Sequence, residues 1–529
     1  MATNNHSKWL WISFTAAIIA AGIAARVPYL RGANLSPDAT DYISIARNIR
    51  RGLGPVLGIK WHFFTADPVI HSAIGERPLL YPLLLAPFCD GDNPARACQY
   101  ATVAMAAAAL ALGAVWARSA GLSWQAAAVS AVLLAFNPGL LMCSVYPWTE
   151  SLYLVWLFAL LTVISRVRAP SRSAFLAALL TAVAALTRPS GPAIIPAVLV
   201  WCLSQRNYRA LIVYVAALIV FFAPWWATVW IVRGNPFYSM QAFHLRVEDI
   251  RDGMAAGYGA SFPSAIEFIH SHAAILLWKI AQQIVAYLSQ LCGPTYLLLL
   301  SAFAFIALSD PSDWSDLSDL SDRHQRNGIQ QRQRAAIGLA FVLALFHFAL
   351  PSLVWATFDP TRFMLPCFAM LAIPAIGKAD CLITRLATRR ARLAAWLAIL
   401  AVTAFFYADQ WRQLYSRLQA GWQRDRAMQV ARIEFDAIVR PDAVIAASDP
   451  FSLNYYFDRP TVILPEPADS SQRLPILERF LDEYRPDYLL AGRERVSAVA
   501  PLVSSGRLRP AGTIETVDLQ VFAIAPAWP

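Results

Sequence analysis

The chain has 529 residues, of which 57% are hydrophobic and only 15% charged. Soluble domains run at roughly 45–50% apolar and about 25% charged, so this composition excludes an ordinary soluble protein and points to many membrane spans. The formal net charge of +10 sits in short clusters between apolar runs, with no aromatic-plus-basic repeat or nucleic-acid motif, and this argues against nucleic acid as a partner.

An apolar run of about 20 residues crosses a bilayer as a helix, because every backbone polar group must be satisfied within the segment. Such runs lie at 9–28, 96–117, 124–142, 148–165, 173–187, 190–204, 210–232, 283–308, 335–357, 362–377 and 391–408. The first follows a single Lys8, lacks a small-residue cleavage site and reads as a retained helix. Basic clusters fall at Arg166/Arg168/Arg172, Arg206/Arg209, Arg323/Arg326/Arg332/Arg334 and Arg385/Arg389/Arg390/Arg392. The positive-inside rule places all four in the cytoplasm, which requires an even number of spans between neighbours. The stretch 173–204 is therefore expected to be two helices with TRPSG at their turn, giving about eleven spans, a cytoplasmic N-terminus and an external C-terminus.

In this orientation residues 29–95 and 233–280 form long external loops, and PWTE at 147–150 and FDPTRF at 358–363 form external corners. The Ser-Asp-x run SDPSDWSDLSDLSD reads as a solvated cytoplasmic connector. Past residue 408, VIAAS, TVILP, DYLLAG, TIETV and LQVFAIA read as short strands and LPILERFLDEY as a helix. The expected architecture is thus an all-α polytopic membrane bundle over 1–408 and a small extracytoplasmic α/β domain over 409–529, the latter without a glycine-rich phosphate loop.

Within the first external loop, NLSPDATDYISIARNIRRGLG starts a helix on Ser36 as N-cap and Pro37 at the first helical position. Asp38 and Asp41, three residues apart, share a face of it. They read either as acids complementing the helix dipole or as a general base near the bilayer surface. Further on, GERPLLYPLLLAPF is an apolar, proline-bounded stretch expected at the interface, headed by Glu76 and Arg77. Arg77, Arg188 and Arg362 all lie at external ends; they read as snorkelling cations or as forked donors around a lipid-linked phosphate. Glu150, at the head of a span, reads as a dipole-complementing acid or as part of a binding site. The external histidines 62, 71, 244, 270 and 272 show no metal-ligand spacing, so a divalent metal has only weak support. Cys89 and Cys98, which flank DGDNPARA near the end of the first external loop, are close enough for a disulfide.

These motifs resemble the GT-C superfamily of membrane glycosyltransferases, in the protein O-mannosyltransferase-like branch that includes lipid A aminoarabinose transferases. PDATDYISIARNI is similar to that branch's P-D-E-x-x-Y helix, with Pro37, Asp38 and Tyr42 in register and Ala39 in place of the second acid. GERPLLYP resembles its K-P-P or E-K-P motif, with Arg77 at the Lys position, and YPWTESLYL, ALTRPSG and DPTRFMLP are similar to its corner sequences. The resemblance covers roughly residues 10–410. It implies inverting transfer from a polyprenyl-phosphate sugar to a hydroxyl of a lipid, glycan or protein acceptor at the outer face of the inner (plasma) membrane. Asp38 would be the base, Asp41, Tyr42, Glu76 and Glu150 its support, and Arg77, Arg188 and Arg362 the lipid-phosphate ligands. The rivals are a glycolipid transporter or flippase, a non-catalytic assembly subunit and a lipid-pyrophosphate oligosaccharide ligase of similar fold. A transporter would carry charges in mid-span and repeated halves, neither of which the sequence shows.

Overall fold

The computed structural model describes residues 2–90, 93–240, 264–291, 323–354, 360–466 and 473–525, together with Phe243, Arg246 and Tyr258. The helices, in chain order, are α1 (Ala2–Ala24), α2 (Pro37–Arg50), α3 (Leu80–Leu85), α4 (Pro94–Ser119), α5 (Trp124–Ala135), α6 (Pro138–Val145), α7 (Glu150–Arg166), α8 (Pro170–Ala185), α9 (Ile194–Ser204), α10 (Tyr208–Arg233), α11 (Ala265–Ser271), α12 (Ala273–Leu291), α13 (Arg323–Val354), α14 (Pro360–Thr384), α15 (Arg389–Ile438), α16 (Pro450–Phe457), α17 (Arg473–Tyr484) and α18 (Val496–Ser504). A Ser, Asn or Asp followed by Pro opens α2, α4, α6 and α16. In each, the capping side chain accepts a backbone N–H and the proline occupies a position whose own N–H has no helical partner.

Among the described residues, five helices are long and apolar enough to cross a membrane, or six if α5 and α6, bent by 52° at their break, form one span. Four shorter apolar helices accompany them, and the chain is a multi-pass membrane protein. The stretch 173–204 is two helices, α8 and α9, as the charge argument requires. The helix at the start of the expected span 283–308 begins earlier, α12 already starting at Ala273 inside the expected loop 233–280, and positions past 291 lie outside the described residues. The SDPSDWSDLSDLSD connector also lies outside them. On α10, Ile212, Val220, Trp230 and Ile231 are exposed, a belt of large apolar side chains that suits lipid rather than water.

The boundary expected at 408/409 falls inside α15, which continues for 50 residues. At 1.5 Å per residue it is about 75 Å long, well over the roughly 45 Å of a whole bilayer, so its C-terminal part stands clear of the membrane. There it carries a six-stranded sheet ordered β2-β5-β4-β6-β8-β7. Here β2 is Ile59–Lys60, β4 Ile445–Ala447, β5 Thr461–Ile463, β6 Tyr488–Gly492, β7 Leu508–Ile514 and β8 Leu519–Ile524. The first four strands in that order pair in parallel and the last two antiparallel. TIETV leaves the strand at Ile514 and continues as a 3-10 turn. The sequence gives no sign that β2, from the loop 29–95, completes the sheet edge. A short antiparallel pair, β1 (Val56–Leu57) with β3 (His71–Ser72), braces the same loop.

One apolar core runs through the bundle, and a second joins α2, α3 and the start of α4 to α15, α16 and the inner face of the sheet. Phe435 of α15 and Phe457 of α16 stack at 3.9 Å between ring centroids within that second core. The loop 29–95 is therefore clamped between membrane helices and sheet, which fixes the side chains of α2 in space.

Candidate active site

Ser36 caps α2 by accepting from Ala39 N–H, and its Oγ also accepts from the indole N–H of Trp148 at 2.7 Å. The cap thus pins the first turn of α2 to the corner between α6 and α7, where Trp148 and Glu150 sit. Most of the length of α2 is buried within the protein, with Ala39, Thr40, Asp41, Tyr42, Ile43, Ile45 and Ala46 shielded.

From this base a ladder of alternating charges crosses the site. Asp41 Oδ2 accepts from Arg77 Nη2 at 2.6 Å and from Arg77 Nε at 3.0 Å. The same Nη2 lies 2.8 Å from Asp38 Oδ1, and Asp38 Oδ2 accepts from Arg362 Nη1 at 2.6 Å. Arg362 Nε pairs with Glu150 Oε1, and Arg188 Nη1 lies 2.5 Å from that same oxygen. Five separate parts of the chain supply these groups: α2, the segment before α3, the start of α7, the α8–α9 turn and the start of α14.

Aromatic rings flank the cations. Arg77 lies over Tyr42 and Trp61, Arg362 over Trp148 at 4.3 Å and Arg188 over Phe363. Such contacts favour a desolvated guanidinium. Trp61 also donates its indole N–H to Asp41 Oδ2 at 3.2 Å.

The two acids of α2 differ. Asp41 is fully buried, while the Asp38 side chain keeps 28% of its surface exposed. Burial raises the Asp41 carboxyl to about 6, against the pull of Arg77 and with the added repulsion of Asp38 and Glu76. Burial acts the same way on Asp38, but Arg77 and Arg362 together outweigh it and hold that carboxyl below its ordinary range.

Glu76 does not join the ladder. Its Oε2 faces the Nε2 of His62 at 3.3 Å and of His71 at 3.0 Å, while its Oε1 accepts from Arg233 at 2.9 Å. Arg233, at the end of α10, also grips Asp67 and the carbonyls of Ser72 and Ile74. The contacts of Glu76 with the two histidines hold its carboxyl well below the ordinary value against burial, and burial lowers His62 to about 4. Gly75, just before Glu76, has φ +83°, and a Cβ there would meet the ring of Tyr238 at 2.5 Å. Glycine is therefore needed for the turn that sends Glu76 and Arg77 in opposite directions.

Metal-ligating atoms of His62, His71 and Glu76 lie within 4.8 Å of one another. Two imidazoles and a carboxylate can hold a divalent ion such as zinc. This corrects the expectation that no histidines have ligand spacing: the pairing of β1 with β3 and the turn at Gly75 bring them together, which separation along the chain does not reveal.

All eight residues singled out in the sequence lie in or beside this site. Trp61, Trp148, His62, His71 and Arg233 were missed as members. Arg233 carried the same signal as Arg188 and Arg362, an arginine at an expected external helix end. The rest act through contacts distant in sequence.

With this geometry established, comparison with known proteins adds one finding. No protein-family model matches the chain, and no curated protein matches its sequence. Solved structures do match. ArnT from Cupriavidus metallidurans bound to undecaprenyl phosphate is 13% identical, with a TM-score of 0.57 and 98% of each chain covered. The oligosaccharyltransferase AglB from Archaeoglobus fulgidus, in complex with an inhibitory peptide and a dolichol-phosphate, is 11% identical, with a TM-score of 0.52, 92% of this chain and 70% of that chain covered. The chain shares the overall fold of these two proteins. At these identities the likeness speaks for the fold, and the chemistry has to be argued from the side chains.

Proposed function

We propose that this protein transfers a sugar from a polyprenyl-phosphate carrier to an acceptor hydroxyl at the non-cytoplasmic face of the inner (plasma) membrane, with inversion at the anomeric carbon. The observation that carries the reading is Asp38, a partly exposed side chain whose carboxylate is held between Arg77 and Arg362, with Arg188 one step further along the same ladder. The acceptor oxygen attacks the anomeric carbon as its proton passes to Asp38. The bond from that carbon to the phosphate oxygen breaks, and the carrier leaves as polyprenyl phosphate with an added negative charge. Arg77, Arg188 and Arg362 stabilise that charge by forked, charge-assisted hydrogen bonds. A single displacement from the face opposite the leaving group inverts the centre.

The ladder gives the donor a second role. Asp38 is held as a weak base by the two arginines beside it. A phosphate drawing Arg77 and Arg362 toward itself removes that hold, so donor binding strengthens the base where it is needed. Asp41, buried beneath, keeps Arg77 in place.

In this reading about eleven helices cross the membrane, the N-terminus is cytoplasmic, and the chain beyond the membrane-spanning part of α15 forms an extracytoplasmic α/β domain covering the site. ArnT is bound to undecaprenyl phosphate and AglB to a dolichol-phosphate, which supports a lipid-phosphate ligand here. A lipid-pyrophosphate oligosaccharide donor is the second reading, and the likeness to an oligosaccharyltransferase keeps an oligosaccharide as the transferred group in view. The test is the purified protein with a panel of polyprenyl-phosphate sugars, reading release of free polyprenyl phosphate. Release only from pyrophosphate-linked donors would select the second reading, and binding without release from any donor would leave a transporter.

A further inference from the structure

Away from the ladder, a second pair of reactive side chains meets. Cys89 ends the 3-10 turn Ala86–Phe88 that follows α3, and Cys98 lies near the start of α4. Their Sγ atoms are 3.4 Å apart and both residues are buried. A disulfide bond of about 2 Å needs only a small approach from there.

The two thiols are not equivalent. Cys89 lines a cavity of about 610 Å³, and Cys98 does not. Arg47, Arg50, Arg51 and Arg432 line the same cavity, the last three about half exposed, so Cys89 is the sulfur that a reagent from the aqueous side reaches first. The hydrogen bond to Cys98 lowers the Cys89 thiol below its ordinary value, Arg47 helping and burial opposing. A thiolate beside arginine is the attacking species in thiol–disulfide exchange.

We propose that Cys89 and Cys98 are a redox pair that closes to a disulfide, stapling the segment behind Arg77 to the head of α4. The co-reactant is a disulfide, carried by a dithiol oxidase or a small thiol compound. Cys89 thiolate attacks one sulfur of that disulfide, forming a mixed disulfide and releasing the other sulfur as a thiolate. Cys98, its proton passing to that thiolate, attacks the Cys89 sulfur and expels the second sulfur. The products are the Cys89–Cys98 bond and the reduced co-reactant. The staple fastens α3, which begins three residues after Arg77, against the bundle. Closure in the cell rests on the proposed external placement of the loop 29–95, because oxidising conditions prevail there.

The experiment takes membranes quenched in acid, alkylates free thiols with N-ethylmaleimide, and digests the denatured full-length protein with trypsin without reduction. Cleavage after Arg96 separates the two cysteines, so the staple appears as one linked pair of peptides and as loss of alkylation at both sites. A second arm treats the reduced protein in detergent with oxidised glutathione, with Cys89→Ser as control. Linkage in membranes supports the proposal together with the placement. Free thiols in membranes that link upon treatment support the pair and count against the external placement. Two thiols that stay alkylatable after treatment, or a glutathione adduct on Cys89 that Cys98 fails to displace, would overturn the proposal. Hydrogen exchange at 80–88 supplies a structural readout, expected to quicken when the linked form is reduced.

Discussion

Asp38→Asn separates catalysis from binding and from folding in one substitution. The amide keeps the shape of the side chain. Arg77 still has Asp41, and Arg362 still has Glu150, so neither guanidinium is left buried without an acid. The site is also partly open to water, which softens the loss. The variant should therefore insert and fold. Binding of polyprenyl phosphate should be unchanged or tighter, because the carboxylate that competes for the two arginines is gone. Transfer should fall by about 10²–10⁴, the usual contribution of a positioned general base, or at least about 2.7 kcal/mol of barrier. The assay is single-turnover transfer at saturating donor, run beside equilibrium binding of polyprenyl phosphate. The parallel variant is Asp41→Asn, which removes the acid beneath Arg77 and should be the milder of the two. Near-normal transfer by Asp38→Asn with collapse in Asp41→Asn would move the base three residues along α2. Normal transfer by both would take α2 out of the chemistry.

Arg77→Lys keeps the charge facing Asp41 but loses the fork, and about 1.5–3 kcal/mol for a charge-assisted bond predicts roughly 10–100-fold weaker polyprenyl-phosphate binding in a fold that persists; unchanged binding would remove Arg77 from the phosphate site. Asp41 has a folded-state value of about 6 against an ordinary 3.8, so its contribution to stability is present below about pH 4 and lost as pH rises through about 6. Ionised Asp41 is what holds Arg77, so kcat/KM should rise through about pH 6, and a limb that survives in Asp41→Asn would assign it to another group. Gly191→Ala places a Cβ 2.4 Å from the Ala185 Cα, where only backbone can yield, and overpacking of this kind costs about 1–3 kcal/mol, read as a lowered thermal midpoint in detergent. Cysteine labelling should find Glu150, Arg188 and Arg362 positions outside and Arg206 and Arg390 inside; Arg188 and Arg206 on one side would break the topology.

Charge at helix ends was the most informative signal in the sequence. In a membrane protein an ionisable residue is restricted to bundle interiors, water-filled cavities and the two interfaces, so the position of an arginine along a span says much about its surroundings. Arg188 and Arg362 were visible for that reason, and the ladder joins both to Glu150. The same logic marks Arg233, although no motif surrounds it. Composition misled in one place. The change in composition past residue 408 marks the expected start of the external domain, yet α15 runs on to Ile438. Composition there reports the surrounding medium, lipid and then water, while the backbone stays helical throughout. The closing of the sheet by Ile59–Lys60 and the meeting of His62 with His71 had no such marker, because both depend on how a long loop folds back on itself.

Charge balance links the fold to the proposed chemistry. Arg77, Arg188 and Arg362 face Asp38, Asp41 and Glu150, equal in number, and the desolvation penalty of gathering six ions in a shielded site is offset only while each has a partner. A site built to hold an anion permanently would show an excess of cations. Here the carboxylates neutralise the arginines, and in the proposed reaction the donor phosphate has to displace one of them to bind. Asp38 is the acid best placed to be displaced: Asp41 is fully buried and takes both Nε and Nη2 of Arg77, and Glu150 is buried between Arg188 and Arg362. Asp38 is also the one of the three with a substantial open face. In the proposed reaction the group released by donor binding is thus the group that meets the acceptor hydroxyl, which would tie activation of the base to occupancy of the phosphate site and disfavour proton abstraction before the sugar is in place.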